Sequence, residues 1–432
     1  MGIPFSRLVT NIAIKPFLIT GTLNIDIVNT AINYYVMKVL QAKQTSFKKP
    51  WTCKNSYANF LRRRGIGQIM WGRQWFDHYS QMGLEDESLE AEFYLQQGHY
   101  HKAYNCVINL FRKYSSTNQN KFIKLFCKRQ IKRIAHVENF NHRSKHQGLT
   151  SVRLGFIDFW NGFSANSSPL YSLIKKISPL PVELESNVEL ADIIICSCFG
   201  NKLQNSKNLH ATRILYIGEN LRPQYSDYDY SLSFDRNSYC GRNINLPLWM
   251  LSTNIWGNDD PSLTSHKLLT RSKLLYPRDK KKGINIITNN FTPFRLELIN
   301  KFRRQGFKVD IFGQHFNPVV NKISLMSDYA FSLCPENSVY PGYVTEKIIH
   351  ASSASTLPIY SGGIMGEGFD LRSFLYIEPD LSNFEFIVSN MNELIKSPQV
   401  HLPPLARQSS MLRKSADIEN RLEIIFSLYF ND

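Results

Sequence analysis

The feature that most constrains this chain is a change of texture at Ser151, after which short apolar runs alternate with amphipathic stretches. Val152–Ile157, Val182–Leu184, Ile193–Cys198 and Ile214–Ile217 read as buried strands, and Leu170–Ile177 as an intervening helix. Parallel strands need a crossover between them, usually a helix, so this alternation predicts βαβ units and a parallel sheet. The polar stretch Gly257–Lys282, with Asp259-Asp260-Pro261 and a lysine run, reads as a linker. The alternation then restarts. Strands are predicted at Ile284–Thr288, Lys308–Phe312, Tyr329–Cys334 and Leu357–Tyr360. Helices are predicted at Pro293–Arg304, Glu346–Ala354, Phe384–Ile395 and Met411–Phe430. Two doubly wound α/β domains therefore face a common cleft, with ligands expected beyond the carboxyl ends of the strands.

The segment before this region differs in kind. Residues 1–150 hold 22 Lys+Arg against 8 Asp+Glu, whereas the remaining 282 residues hold 29 against 27. Nearly all of the +16 net charge thus belongs to the first third, and a nucleic-acid reading of the whole protein is excluded. Residues 1–148 read as a basic, mainly helical module, with a helical pair over Leu89–Tyr114 hinged at Gly98. Lys121–Arg133 reads as a basic amphipathic helix carrying six Lys/Arg, either a solvated face or a surface for anionic membrane or RNA. Met1-Gly2 with Ser6 matches a myristoylation pattern that is short enough to arise by chance. The remaining boundaries are 149–278 and 279–400 for the α/β domains, and 401–432 for a C-terminal helix.

Composition removes other classes. Hydrophobic residues make 43% and charged residues 20%, which excludes disordered and collagen-like chains. The most apolar stretch, Leu18–Met37, contains Asp26 and follows Lys15-Pro16, so no spanning helix is expected there. Seven cysteines lack metal-ligand spacing, and a reducing, cytoplasmic setting is expected. The basic module raises peripheral contact with the inner membrane face as an option.

Three strand-to-helix junctions carry unusual groups. In Thr292-Pro293-Phe294-Arg295, Thr292 is a good N-cap and Pro293 a good first helical residue. Arg295 then stands where the helix dipole disfavours a cation, unless an anion binds there or the side chain splays into solvent. In the run from Phe331 to Lys347, a strand ends at Glu336-Asn337, and a Pro341-Gly342 loop leads to a helix capped by Thr345. Glu346 suits the helix start and is placed to accept hydrogen bonds from a ribose diol. Lys347 repeats the cation at a helix start, and the two together suggest a diphosphate site. No Walker A loop or G-x-G-x-x-G fingerprint competes with it. In Gly218-Glu219-Asn220, a strand delivers a carboxylate to the cleft, where it is either a general base or a partner for Arg222.

With these blocks in place, ENSVYPGYVTEK and the later PIYSGG (Pro358 to Gly363) resemble the signature of the α-1,3/4-fucosyltransferase family. Gly218-Glu219-Asn220, Tyr230–Asp235, Asp158-Phe-Trp160 and Thr292-Pro-Phe-Arg295 extend the resemblance over about residues 150–400. It implies a GT-B-like fold of two Rossmann-like domains, with GDP-fucose held by the second. Arg295 and Lys347 resemble the diphosphate ligands, Asn337 another donor contact, Glu346 the ribose-binding carboxylate and Tyr343 the aromatic lining of the nucleotide pocket. Glu219 resembles the base that deprotonates an acceptor hydroxyl, with Asp158, Trp160 and Asn220 on the acceptor side. The implied partners are GDP-fucose and a glycan acceptor containing GlcNAc or glucose. No cofactor and no metal are expected, and Asp227-Tyr-Asp229, which matches D-x-D, reads as a surface turn. Pro335 and Ser361 stand where the family usually has aromatic residues, which leaves another GDP sugar open as donor. A non-catalytic scaffold binding membrane or RNA through the basic module is the alternative from a different class.

Overall fold

The computed structural model describes residues 84–114, 120–148 and 151–430, apart from 226, 259, 315, 316, 365 and 366. The myristoylation pattern, the Leu18–Met37 run, Asp259 and the first 83 residues of the basic module lie outside them. All the elements below belong to one compact unit.

Three helices come first: α1 Asp86–Gln96, α2 Tyr100–Tyr114 and α3 Asn120–Gln147. Gly98, at φ 68, makes the turn between α1 and α2. The first sheet holds β1 Val152–Ile157, β2 Val182–Leu184, β3 Ile193–Cys196, β4 Thr212–Tyr216, β5 Tyr230–Ser233 and β6 Asn243–Asn245. α4 Pro169–Ile177 crosses between β1 and β2. All pairings are parallel, in the order β2-β1-β3-β4-β5-β6.

After a four-residue helix, α5 His266–Leu269, come β7 Lys273–Leu275, β8 Lys281–Ile287, α6 Pro293–Arg304, β9 Val309–Phe312, α7 Lys322–Ser327 and β10 Tyr329–Pro335. α8 Glu346–Ser353, β11 Leu357–Ser361, β12 Leu375–Tyr376, α9 Phe384–Lys396, β13 Val400–Leu402 and α10 Gln408–Phe426 complete the chain. The second sheet is also parallel, β9-β8-β10-β11-β12. Its order therefore repeats that of the first: the opening strand lies between the second and the third. In each sheet the switch point falls beside the opening strand, where a crevice forms at the carboxyl ends.

Three expectations change. The presumed linker contains β7, which pairs antiparallel with β13 from the far end of the domain. Asp229 is not in a surface turn. It is 1% exposed and accepts from Arg129 Nη1 and Gln130 Nε2 at 2.9 Å each. The described part of the helical module is also not detached from the α/β domains. Arg133, fully buried on α3, donates from Nη1 to Glu92 of α1 at 2.7 Å and lies 3.3 Å from Asp229 beside β5. Arg242 adds a 2.8 Å contact to Glu92. Two of the six cations of the basic helix are thus internal, while Lys124, Lys128 and Lys132 stay exposed. At the other end, the Tyr429 hydroxyl donates to the Asp192 carbonyl at 2.8 Å, tying the tail after α10 to the first sheet.

This charged joint gives a stability prediction. Burial alone would raise the Glu92 carboxyl, but Arg133 and Arg242 outweigh it and bring its pKa from 4.5 to about 2. Its contribution is present above about pH 4.5 and is lost as pH falls toward 2. Replacing Arg133 by Met removes one of two guanidinium partners from each of two buried carboxylates, leaving Arg242 on Glu92 and Arg129 on Asp229, and is expected to cost about 1–3 kcal/mol in urea unfolding at neutral pH. The same variant should show a shallower loss of stability across that acid window.

Candidate active site

The switch point of the second sheet lies between β8 and β10, and the donor-side residues gather there. Thr292 accepts from the Arg295 amide at 3.3 Å and caps α6, with Pro293 at the first helical position. Arg295 does not splay into solvent. It is 2% exposed, and its guanidinium donates to Thr288 Oγ1 at 2.9 Å, the Asn290 carbonyl at 2.7 Å and the Pro335 carbonyl at 2.8 Å. These partners are all neutral, and Nε is buried with no hydrogen-bond acceptor. Burial therefore lowers the Arg295 pKa, partly offset by the charges of Glu336, Tyr343 and Glu346. A desolvated cation with neutral partners is poised to receive an anion.

Glu336, at the end of β10, organises the other cation. Its carboxylate accepts from Lys347 Nζ at 2.7 Å and from the Thr345 amide at 2.8 Å, and receives the Thr345 hydroxyl as well. Thr345 occupies the N-cap position of α8, but its hydroxyl serves Glu336 and Lys347 rather than the helix amides. Burial would lower the Lys347 pKa, but Glu336 and Glu346 raise it overall, so the ammonium stays charged. Glu346 is likewise penalised by burial, yet Lys347 and Lys322 hold it down at about 2. Arg295, Glu346, Lys347, Lys322 and His350 line one recess of about 50 Å³. Lys322 and His350 belong to none of the sequence blocks; a third cation opening α7 is the available signal. Asn337 is exposed and outside this lining.

The recess opens on a cleft of about 1260 Å³ whose walls come from both sheets. Trp160, Tyr216 and Gly218 stand on one side, and Lys322, Glu346 and His350 on the other. Glu219 follows β4 and is half-buried beside Gly218. Burial raises its pKa above the usual carboxylate value, while the Tyr343 hydroxyl and Lys347 pull it partly back. Arg222 is not its partner: that guanidinium donates to Asn220 Oδ1 at 2.7 Å and lies 3.3 Å from the centre of the Tyr340 ring. Instead Tyr343, from the donor-side loop, donates to Glu219 Oε2 at 3.3 Å. Asn220 reaches the same loop through Ser338 at 2.7 Å.

This loop is held close by backbone. The Gly342 amide donates to the Gly363 carbonyl at 2.7 Å, and a Cβ on Gly363 would lie 1.6 Å from the Tyr340 carbonyl oxygen. That is why PIYSGG must end in glycine. Of the acceptor-side residues, Trp160 is 46% exposed in the cleft. Asp158 instead accepts from the Lys202 and Leu203 amides at 2.9 and 3.0 Å, fixing the loop after β3. Pro335 and Ser361 are register partners at the ends of β10 and β11, and both are buried.

Two parallel sheets that share the order of their first five strands, with Arg295 and Lys347 at the recess beside one and Glu219 just after a strand of the other, define a GT-B type of fold. Two family models match in sequence: the alpha-(1,3)-fucosyltransferase FucT N-terminal domain at residues 154–252, and the glycosyltransferase family 10 (fucosyltransferase) C-terminal domain at residues 277–402. Together they cover just over half of the chain, which belongs to glycosyltransferase family 10. A Helicobacter pylori protein named alpha-(1,3)-fucosyltransferase FucT is 26% identical over 276 residues, 55% of this chain and 55% of its own length. A putative fucosyltransferase of Acanthamoeba polyphaga mimivirus is 27% identical over 146 residues, 29% of this chain and 24% of its own. The chain thus spans about half, or less, of the length of these relatives. An alpha1,3-fucosyltransferase crystal structure is 20% identical with a TM-score of 0.49, covering 66% of this chain and 92% of that one.

The Tyr343–Glu219 contact can be tested by Tyr343→Phe. Losing the hydroxyl removes an interaction that lowers the Glu219 pKa, so the acid limb of the pH–rate profile should move to higher pH. GDP affinity should be preserved; a tenfold loss of it would instead place Tyr343 in the nucleotide pocket.

Proposed function

We propose that the protein transfers L-fucose from GDP-β-L-fucose to a hydroxyl of a glycan, with inversion, O3 of GlcNAc or glucose being the favoured position. The observation that carries this reading is the division of charge across the cleft. Arg295 and Lys347 converge on one recess, and Glu219 reaches that recess's loop from the opposite domain. The family membership and the name of the Helicobacter pylori relative support fucose as the sugar and position 3 as the linkage.

In a single displacement, Glu219 takes the acceptor proton as the acceptor oxygen forms its bond to the anomeric carbon. The bond from that carbon to the β-phosphate oxygen breaks with its electron pair, and GDP departs. Arg295, Lys347 and the amino end of α8 stabilise the charge that develops on the diphosphate. Glu346, held ionised, accepts from the ribose hydroxyls. We further propose that no divalent metal is needed, because positive charge for the leaving group is already in place. Asp229 of the D-x-D match has its carboxylate committed to Arg129 and Gln130.

The protein is proposed to work in the cytoplasm. No helix among the described residues is long and apolar enough to cross a membrane. Lys124, Lys128 and Lys132 surround the exposed Leu125 and Ile131 on α3, which supports peripheral contact with an anionic lipid surface.

The test is transfer from GDP-fucose, GDP-mannose and UDP-glucose to N-acetyllactosamine in the presence of a chelator, with parent and Glu219→Gln. The parent is expected to use GDP-fucose, and the variant to lose about 10²–10⁴-fold in turnover with GDP affinity nearly unchanged. Preference for GDP-mannose would overturn fucose as the donor sugar. A variant within about threefold of the parent would remove Glu219 from the base role.

A further inference from the structure

Arg222 has no part in the transfer chemistry, yet it is buried beside the segment that carries Glu219. A buried guanidinium needs acceptors, and those of Arg222 are few. It donates to Asn220 Oδ1 and to the Leu221 carbonyl at 2.7 Å each, and the Asp235 carboxylate lies 3.7 Å away. Aromatic rings take up other sides of it. Its Cζ lies 3.3 Å from the centre of the Tyr340 ring and 4.9 Å from that of Phe234.

These rings come from both α/β domains. Phe234 follows β5 of the first sheet, whereas Tyr340 and Tyr343 belong to the donor-side loop before α8. Phe234 packs edge-on against Tyr340 at 6.0 Å and tilted against Tyr343 at 5.1 Å. A Cβ on Gly342 would lie 3.0 Å from the Phe234 carbonyl oxygen, so the backbones approach as well. On its other side Arg222 is tied to Asn220, the residue after Glu219. One path thus runs from the Tyr340 ring through the guanidinium to the backbone of Glu219. A second runs from Tyr343 of the same loop, whose hydroxyl reaches the Glu219 carboxylate at 3.3 Å. A bond of that length is easily lost, and a small drift of the loop would break it.

We propose that Arg222 is a positioning residue: its guanidinium, held against Phe234 and Tyr340 and tied to Asn220, keeps Glu219 within reach of the Tyr343 hydroxyl. The proposal rests on the reading of Glu219 as the base given above and names the group that aims it. Arginine suits the task, because its plane stacks on a ring while its fork still donates in that plane. The titratable groups that face Glu219 are Tyr343, Lys347, Glu346 and Glu336 from the donor side, and Cys198 and Tyr216 from the first sheet. The hydrogen bonds of Arg222 go to Asn220 and Leu221 rather than to the carboxylate, so it acts on Glu219 through position.

The experiment uses the full chain labelled with ¹³C at its glutamate carboxyl carbons, and the Glu219 signal is identified by its absence from Glu219→Gln. Its titration midpoint should rise in Tyr343→Phe, which removes the hydrogen bond outright. Arg222→Lys keeps a charge beside Asp235 but loses the planar fork, and Tyr340→Leu leaves Arg222 without its ring. Each should raise the midpoint by about 0.5, and adding Tyr340→Leu to Tyr343→Phe should raise it no further than Tyr343→Phe alone. Turnover should fall about tenfold in both single variants, with GDP affinity within about threefold of the parent, since Lys347 keeps its Glu336 partner. A merely structural role would lower stability without moving the midpoint. Midpoints unmoved in both single variants, or shifts that add in full in the double variant, overturn the proposal. A parent that transfers no fucose overturns the transferase reading instead, and the Glu219 midpoints still decide whether Arg222 positions that carboxylate.

Discussion

A single buried carboxylate, Glu336, fixes the geometry on which the donor side depends. It is 3% exposed at the end of β10, and so it must be matched by donors or expelled. Lys347, the Thr345 amide and hydroxyl, and Tyr360 supply those donors. The result sets the start of α8, the position of the Lys347 ammonium and the join between β10 and β11 at once. Glu346, next along, is left free to face the recess, and Tyr343, just before, is turned toward Glu219. Glu219 and Lys347 thus belong to different α/β domains, yet both are tied to one short loop.

That sharing has a mechanistic consequence. Glu219 accepts a side-chain hydrogen bond from the donor-side loop, and Asn220 and Arg222 touch that loop through Ser338 and Tyr340. A ligand that orders residues 336–347 would therefore also orient Glu219. Coupling of this kind needs no long pathway, because the two walls of the cleft are in direct contact there.

Much of this was legible in the sequence where the signal is local. Val152–Ile157 and Pro293–Arg304 were read with the bounds the structure gives, because apolar runs and a Thr-Pro helix start report on their own segment. β5 and β6 went unread because Ser231 and Ser233 are buried polar residues, satisfied by Asn243 on the neighbouring strand. β7 reads as linker in the sequence since its partner β13 lies more than a hundred residues on. Asp229 reads as a surface residue for the same reason: Arg129 and Arg133 reach it from a helix far earlier in the chain. Among the candidate site residues, the motif blocks gave Arg295, Lys347, Glu346 and Glu219. They gave neither Lys322 and His350, which reach the recess only through the fold, nor the buried Arg295 Nε that has no hydrogen-bond acceptor.

The central claim is a single displacement across the cleft, with Glu219 on one wall and the cations on the other. The anomeric configuration of the first-formed product tests it most directly. Transfer from GDP-β-L-fucose to N-acetyllactosamine, followed by proton NMR from the earliest turnover, should reveal an α-fucoside alone. A β-fucoside would mean two displacements or attack from the diphosphate side, and would contradict the account.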